Sequence, residues 1–234
     1  MLNNYNRIAR LYPAILCSIP IFAFNYFLLN VHTAEFFGSL EGVKWTGGIT
    51  ISIVLTFLLA QASRFIGKEL FEKTHFNDEL HMPTTELLLH SDSTYSIDHK
   101  GKLHAKILSD FGIRIFSPTQ EVNDITGARK AIVESTGMIR GMVKDGRLIL
   151  QHNREYGFVR NLIGGSVIAV FVSIVDLFIF GHFFPNMLAY YISLFLAIAY
   201  TLIMIIGKPL MSRYGRLYAK VLVQEYLGFQ LPKA

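Results

Sequence analysis

Apolar residues gather in four blocks, from Leu11 to Leu29, about Gly48 to Ala62, about Leu162 to Phe180 and about Met187 to Ile206. A helix needs about 20 residues to cross a bilayer. Three blocks reach that length with no acidic or basic residue except Asp176 in the third; the second is shorter and stops at Arg64, with Trp45 placed to anchor its outer end. The pattern predicts an all-α integral membrane protein, two transmembrane helical hairpins flanking a mainly helical cytosolic domain. The N-terminal hairpin occupies 1–63, with spans at about 11–30 and 46–63. The cytosolic domain covers 64–160, the C-terminal hairpin 161–207 with spans at about 161–180 and 187–206, and a cytosolic amphipathic tail 208–234. Arg7 and Arg10 ahead of the first block also fit a cleavable signal peptide, but Val31-His32-Thr33-Ala34-Glu35 offers no small-x-small cleavage site, which favours a retained helix.

Between the hairpins the pattern turns polar. Gly67 to Lys73 continues the second span as a charged helix, with Glu69 and Lys73 spaced for an i,i+4 pair. Pro83-Thr84-Thr85 reads as a helix start, and so does Ser117-Pro118-Thr119-Gln120-Glu121, where Ser117 caps, Pro118 takes the first helical position and the helix runs to about Val143. Asp145-Gly146 marks a turn. Arg147 to Leu150 admits a short strand but lacks an alternating partner, so helix is preferred. In the tail, Leu210, Tyr214, Leu217, Tyr218, Val221, Leu222 and Tyr226 fall at helical spacing, which suits packing on the cytosolic domain or lying along the headgroups.

Composition agrees with a membrane chain: of 234 residues 52% are hydrophobic and 17% charged, and the mean hydropathy is +0.39. The two outer linkers, 31–47 and 181–186, hold one of the 22 basic residues, Lys44. Positive charge near span ends is retained inside, so both termini and the central segment are predicted to be cytosolic. The formal charge of +5 belongs to the membrane flanks, because Arg64 to Arg160 carries 14 Lys or Arg against 13 Asp or Glu. Cys17 is the one cysteine, which excludes an internal disulfide and a cysteine-rich metal cluster.

Phosphate-loop, nucleophile-elbow and zinc-protease signatures are absent, and neither a metal nor a cofactor is expected. His90-Ser91-Asp92 with His104 could bind a metal or move a proton; the plainer reading is capping and hydrogen bonding. Gly165, Ala169 and Ser173 repeat every four residues, a small face that lets another helix approach closely, and Asp176 follows on nearly the same face. An acid within a span is a functional candidate, lining a pore or reaching the outer headgroups. Pro20 should kink the first span, where Ser18 and Asn25 are also polar, as a gate or ordinary packing requires. Tyr156, Gly157, Phe158 and Arg160 lead into the third span; they suit a headgroup anchor, and Gly157 suits a coupling hinge.

Three stretches carry a resemblance: Pro83-Thr84-Thr85-Glu86-Leu87-Leu88-Leu89-His90, Lys102-Leu103-His104, and Asn153 through Asn161. The chain resembles a family of bacterial four-span proteins similar to the membrane effectors of antiphage operons, including the Hailong type. Where that family has an acidic residue before the Asn of the last motif, this chain has His152. The resemblance implies a non-enzymatic pore-forming effector of the bacterial inner membrane, a homo-oligomer of four subunits. Its gate would be held shut by single-stranded DNA or a nucleotide that a nucleotidyltransferase partner makes, and opening would collapse the membrane potential. Lys100, Lys102, Lys106, Arg129, Lys130 and Arg140 are the candidate ligand-binding cations, with solvated helix faces as the alternative. A membrane hydrolase using His90, Asp92 and His104, and a non-catalytic tether for a soluble partner, remain the competing readings.

Overall fold

The computed structural model describes the backbone of residues 4–29 and 41–229, with the side chains at 4, 29 and 41–53 outside the description. Every described element is helical. The principal ones, in chain order, are α1 (Arg7–Leu28), α2 (Glu41–Ile66), which continues as a π-helical stretch (Gly67–Glu72) and a short helix (Lys73–Phe76), α3 (Pro83–Glu86), α4 (Ile97–Phe111), α5 (Pro118–Asn123), α6 (Ile125–Met142), α7 (Arg147–Phe178), α8 (Met187–Ile205) and α9 (Gly207–Gly228). Among the described residues, three helices are long and apolar enough to cross a membrane: α1, α7 with its π-helical continuation to Phe183, and α8. The expected second span lies within α2, and its outer part, with Trp45 and Lys44, is outside the described side chains; so is most of the 31–47 linker.

The chain divides into two compact units, one of residues 1–71 and 157–208 and the other of 72–156 and 209–234. The first unit has an inverted polarity. Ala14, Cys17, Leu59, Ala60, Ala169, Leu196 and Tyr200 form its packed interior. Ser63, Ser166, Ser173, Asp176 and Ser193 are buried too, while Phe57, Phe171, Phe195 and Ile205 are each more than 60% exposed. In water that arrangement would be costly. In hydrocarbon it is the stable one, because apolar side chains lose nothing by facing lipid and polar ones gain by facing protein.

α1 is interrupted at Ser18, two residues before Pro20, as a proline that cannot donate a helical hydrogen bond requires. The helices approach closely at glycines. A Cβ on Gly164 would collide with the Ser63 carbonyl and the Gly67 backbone, and one on Gly67 with the Arg160 carbonyl.

The second unit has a buried apolar core. Leu88, Leu89, Leu103, Ile107, Ile132 and Ile139 fill its core with Ala219, Leu222, Val223 and Tyr226 of α9. The tail therefore packs on this domain, and Tyr226 also donates to Asp110 (3.0 Å). Ser117 caps α5 in a reciprocal box with Gln120, Pro118 sitting at the first position. The helix expected to continue to about Val143 instead breaks at Asp124, which caps α6 by accepting from the Gly127 N–H (2.8 Å). Glu121, just ahead of that break, is buried. Arg147 to Leu150 is the first turn of α7.

Candidate functional site

Two prolines in α1 each remove one donor from the backbone ladder. A helical N–H at position 13 would serve the Ala9 carbonyl, and one at 20 the Leu16 carbonyl. Both orphans are filled from far along the chain: Asn161 Nδ2 donates to Ala9 O (2.5 Å) and the Tyr200 hydroxyl to Leu16 O. Asn161 is 1% exposed. Buried carbonyls left without donors cost about 1–3 kcal/mol each. Tyr200→Phe should therefore lower the stability of the detergent-solubilised protein by about that much, read as a fall in melting temperature, although its ring is retained.

The small face Gly165, Ala169 and Ser173 is wholly buried, as helix packing requires. A Cβ at Gly165 would meet Cys17 Sγ and Ser63 Oγ at 2.6 and 2.7 Å. Asp176 shares that face and is 1% exposed within the single chain, so it points into the subunit's own interior. Of the two roles expected for this face, the burial within one subunit is the one that helix packing requires. Pro20 is buried and Asn25 exposed.

The residues expected as a headgroup anchor or a coupling hinge lie inside one helix. α7 runs unbroken through Tyr156, Gly157, Phe158 and Arg160. Gly157 is there for closeness, since a Cβ would lie 3.0 Å from Ala9 Cβ and 3.2 Å from the Tyr5 hydroxyl. Tyr156 is buried and donates to Glu72 Oε2 (2.8 Å). Arg160 donates to Asn161 Oδ1 (3.4 Å). His152 pairs with Glu155 at 2.9 Å.

In the second unit the candidate polar residues grip one loop, Leu88–Asp92. Glu121, 2% exposed, accepts from the His90 and Ser91 N–H groups (2.7 and 2.9 Å). Lys100, 3% exposed, donates to the carbonyls of Leu89 (2.5 Å), His90 (3.3 Å) and Asp92. His90 Nε2 lies 2.9 Å from Phe116 O, and His104 Nε2 lies 2.8 Å from Leu88 O. A carbonyl can only accept, so both rings carry their proton on Nε2. The rings meet edge to face at 4.8 Å. Asp92 accepts from the Thr94 N–H (2.8 Å). The residues singled out for a metal or a proton relay thus serve backbone groups, and among the described residues no group of three or more His, Cys, Asp and Glu is arranged to hold a metal ion.

The electrostatics follow from burial. Burial alone would raise the Glu121 carboxyl, but the His90 and Ser91 N–H bonds hold it below its ordinary value. Burial pushes the Lys100 ammonium down against the opposing pull of Asp92 and Glu121. His104 is likewise lowered, first by burial and further by His90 and Lys100, despite its bond to Leu88 O. A His whose folded pKa lies below its unfolded value of 6.5 binds fewer protons folded than unfolded. Stability then rises with pH through that window and is lost as pH falls below it. The melting temperature of this unit should drop on acidification below about 6.5, and His104→Gln, which keeps an N–H for Leu88 O, should flatten that part of the profile.

The six candidate ligand-binding cations separate. Lys100 is a buried structural lysine and cannot meet a phosphate at the surface. Arg129 donates to Leu80 O (2.7 Å) and to both Glu86 oxygens (2.6 and 3.3 Å); Arg140 reaches Glu79 (3.4 Å) and Thr84 (3.2 Å). Both arginines hold a turn in which Asn77, Asp78 and Glu79 all have positive φ, a strained run for residues with a Cβ. Thr85 of the Pro-Thr-Thr motif supports the same turn by donating to Glu79 O (2.8 Å). Lys106 pairs with Asp110 (3.1 Å). Lys102 and Lys130 are exposed on the surface. Sequence reasoning gave no role to Gly164 or Tyr200, and placed Glu121 only in a helix start and Asn161 only in the motif ahead of the third span; the one local signal for the Asn161 and Tyr200 contacts is the pair of carbonyls orphaned by Pro13 and Pro20. No protein-family model matches the chain, and no curated protein or solved structure matches it.

Proposed function

We propose that the chain is a pore-forming membrane effector: four spans in two hairpins, termini and polar unit cytosolic, assembled as a homo-oligomer in a bacterial inner membrane. A nucleotide or single-stranded DNA made with a nucleotidyltransferase partner binds the polar unit and sets the gate, and opening depolarises the membrane in antiphage defence. The observation that carries this reading is the union, in one chain, of three helices long and apolar enough to cross a bilayer with a separate, polar helical unit. The Asn-x-x-Tyr-Gly-Phe-x-Arg-Asn stretch that resembles the effector family supports it. Asn25, polar and exposed among apolar neighbours, suits a contact between subunits. Lys102 and Lys130 are the cations best placed to meet a phosphate ligand. His90, Asp92 and His104 are committed to backbone groups, so no observation favours the hydrolase alternative.

Conductance in planar bilayers tests the proposal. Purified protein should carry current that changes when bound oligonucleotide is digested with nuclease, and Lys102→Glu with Lys130→Glu should weaken retention of the nucleic acid. A bilayer that stays silent in every state, with a nucleic-acid-free preparation, overturns it in favour of a membrane tether.

A further inference from the structure

Ala169, Ser173 and Asp176 of α7 and Phe180 of its π-helical continuation are all buried. Ala169 packs in a layer with Cys17 and Tyr200, and Phe180 lies against the rings of Phe24 (6.2 Å) and Phe27 (6.1 Å). Asp176 falls between these layers, sealed by its own chain. Among the described residues its Oδ2 has no hydrogen-bond partner. Among the described side chains of residues 11–28, 54–63 and 161–207 there is no Lys, Arg or Glu to balance it. The other titratable groups on these segments are Tyr12, Cys17, Tyr26, Tyr190, Tyr191 and Tyr200, with His182 in the turn beyond Phe180.

A carboxylate without a balancing charge in such a place is costly. An apolar residue would pack there without that cost, so the position calls for a positive ligand. We propose that Asp176 is the anionic base of a monovalent-cation site inside the subunit, taking a hydron or an alkali cation. Ser173, one turn away and fully buried, donates its hydroxyl proton to Ala169 O (2.8 Å) and keeps oxygen lone pairs for the cation. A second unpartnered oxygen, Ser63 Oγ, is buried near Gly165 and extends the polar stripe beyond the Ala169 layer. The site lies in the unit proposed to form the pore, but it requires no conduction.

Carbodiimide labelling of the full-length protein in lipid vesicles tests this. A hydrophobic carbodiimide reacts with a protonated carboxyl: the acid oxygen bonds to the carbodiimide carbon, the proton moves to nitrogen, and rearrangement leaves an N-acylurea with nothing expelled. Peptide mass mapping should place one adduct on Asp176 and none at that position in Asp176→Asn. Labelling equal in sodium and potassium buffers, and declining as pH rises, assigns a hydron; labelling suppressed at least tenfold by sodium assigns an alkali cation. The melting temperature of the wild type should shift with pH or with sodium, and Asp176→Asn should lose that shift. Absence of an adduct on Asp176 in the folded chain, together with identical pH and sodium responses of the two proteins, overturns the site. A silent bilayer with an intact Asp176 adduct would reject the channel and leave the site standing.

Discussion

Gly164→Ala should be among the most damaging single changes in the first unit, costing about 3 kcal/mol or more, whereas Gly165→Ala beside it should cost about 1 kcal/mol. The added methyl at Gly164 meets the Ser63 carbonyl and the Gly67 N and Cα, all of them backbone. No rotamer change can make room, so α2 and α7 must move apart and the buried contacts around Cys17 and Ser63 open with them. At Gly165 the obstacles are the Cys17 and Ser63 side chains, which can give. Gly101→Ala in α4 supplies the opposite sign, because nothing lies within 4 Å of its would-be Cβ and alanine is the better helix former by about 1 kcal/mol. Melting temperatures of the three variants in one detergent would give the order. A Gly164→Ala protein as stable as Gly165→Ala would mean that the α2–α7 approach is wrong.

Lys100→Met should destabilise the second unit by about 3 kcal/mol, and Glu121→Gln by a similar amount. Methionine takes the lysine donor from the buried Leu89 carbonyl and the part-buried His90 and Asp92 carbonyls, and leaves Glu121 without the Lys100 charge. Glutamine offers one acceptor where the carboxylate uses two, and turns an NH2 toward an N–H. Lys102→Ala should melt with the wild type, since Lys102 is exposed. The contrast also separates two roles for Lys100. As a phosphate contact it would alter ligand retention and leave the melting temperature alone; as a loop anchor it must do the reverse. Thermal melts of Lys100→Met and Lys102→Ala beside an oligonucleotide-retention assay read both.

The sequence by itself determined a good deal. Apolar blocks of spanning length, the helix starts at Pro83 and Ser117, and the helical spacing of the tail are local signals, set by neighbours a few residues apart, and the helices form where those signals lie. The interruption of α1 near Pro20 is local as well, since proline loses its donor in any context. Two of the carbonyls that needed help, at positions 9 and 16, are legible for the same reason. Their donors are not, because Asn161 and Tyr200 reach them only through the packing of distant helices.

Tertiary structure alone decided which polar residues face inward. A lysine in a sequence has no burial, and Lys100 resembles Lys102 until α4 packs against the loop it grips. Nothing local distinguishes Gly164 from Gly165 either, although one meets backbone and the other side chains. Asp176 could have faced lipid, a pore or its own subunit by spacing alone; the rotation of α7 against α1 and α8 chose the last, by burying the face that also carries Ala169 and Phe180. Burial and rotation about a helix axis depend on contacts between residues far apart in the chain, and periodicity carries no information about them.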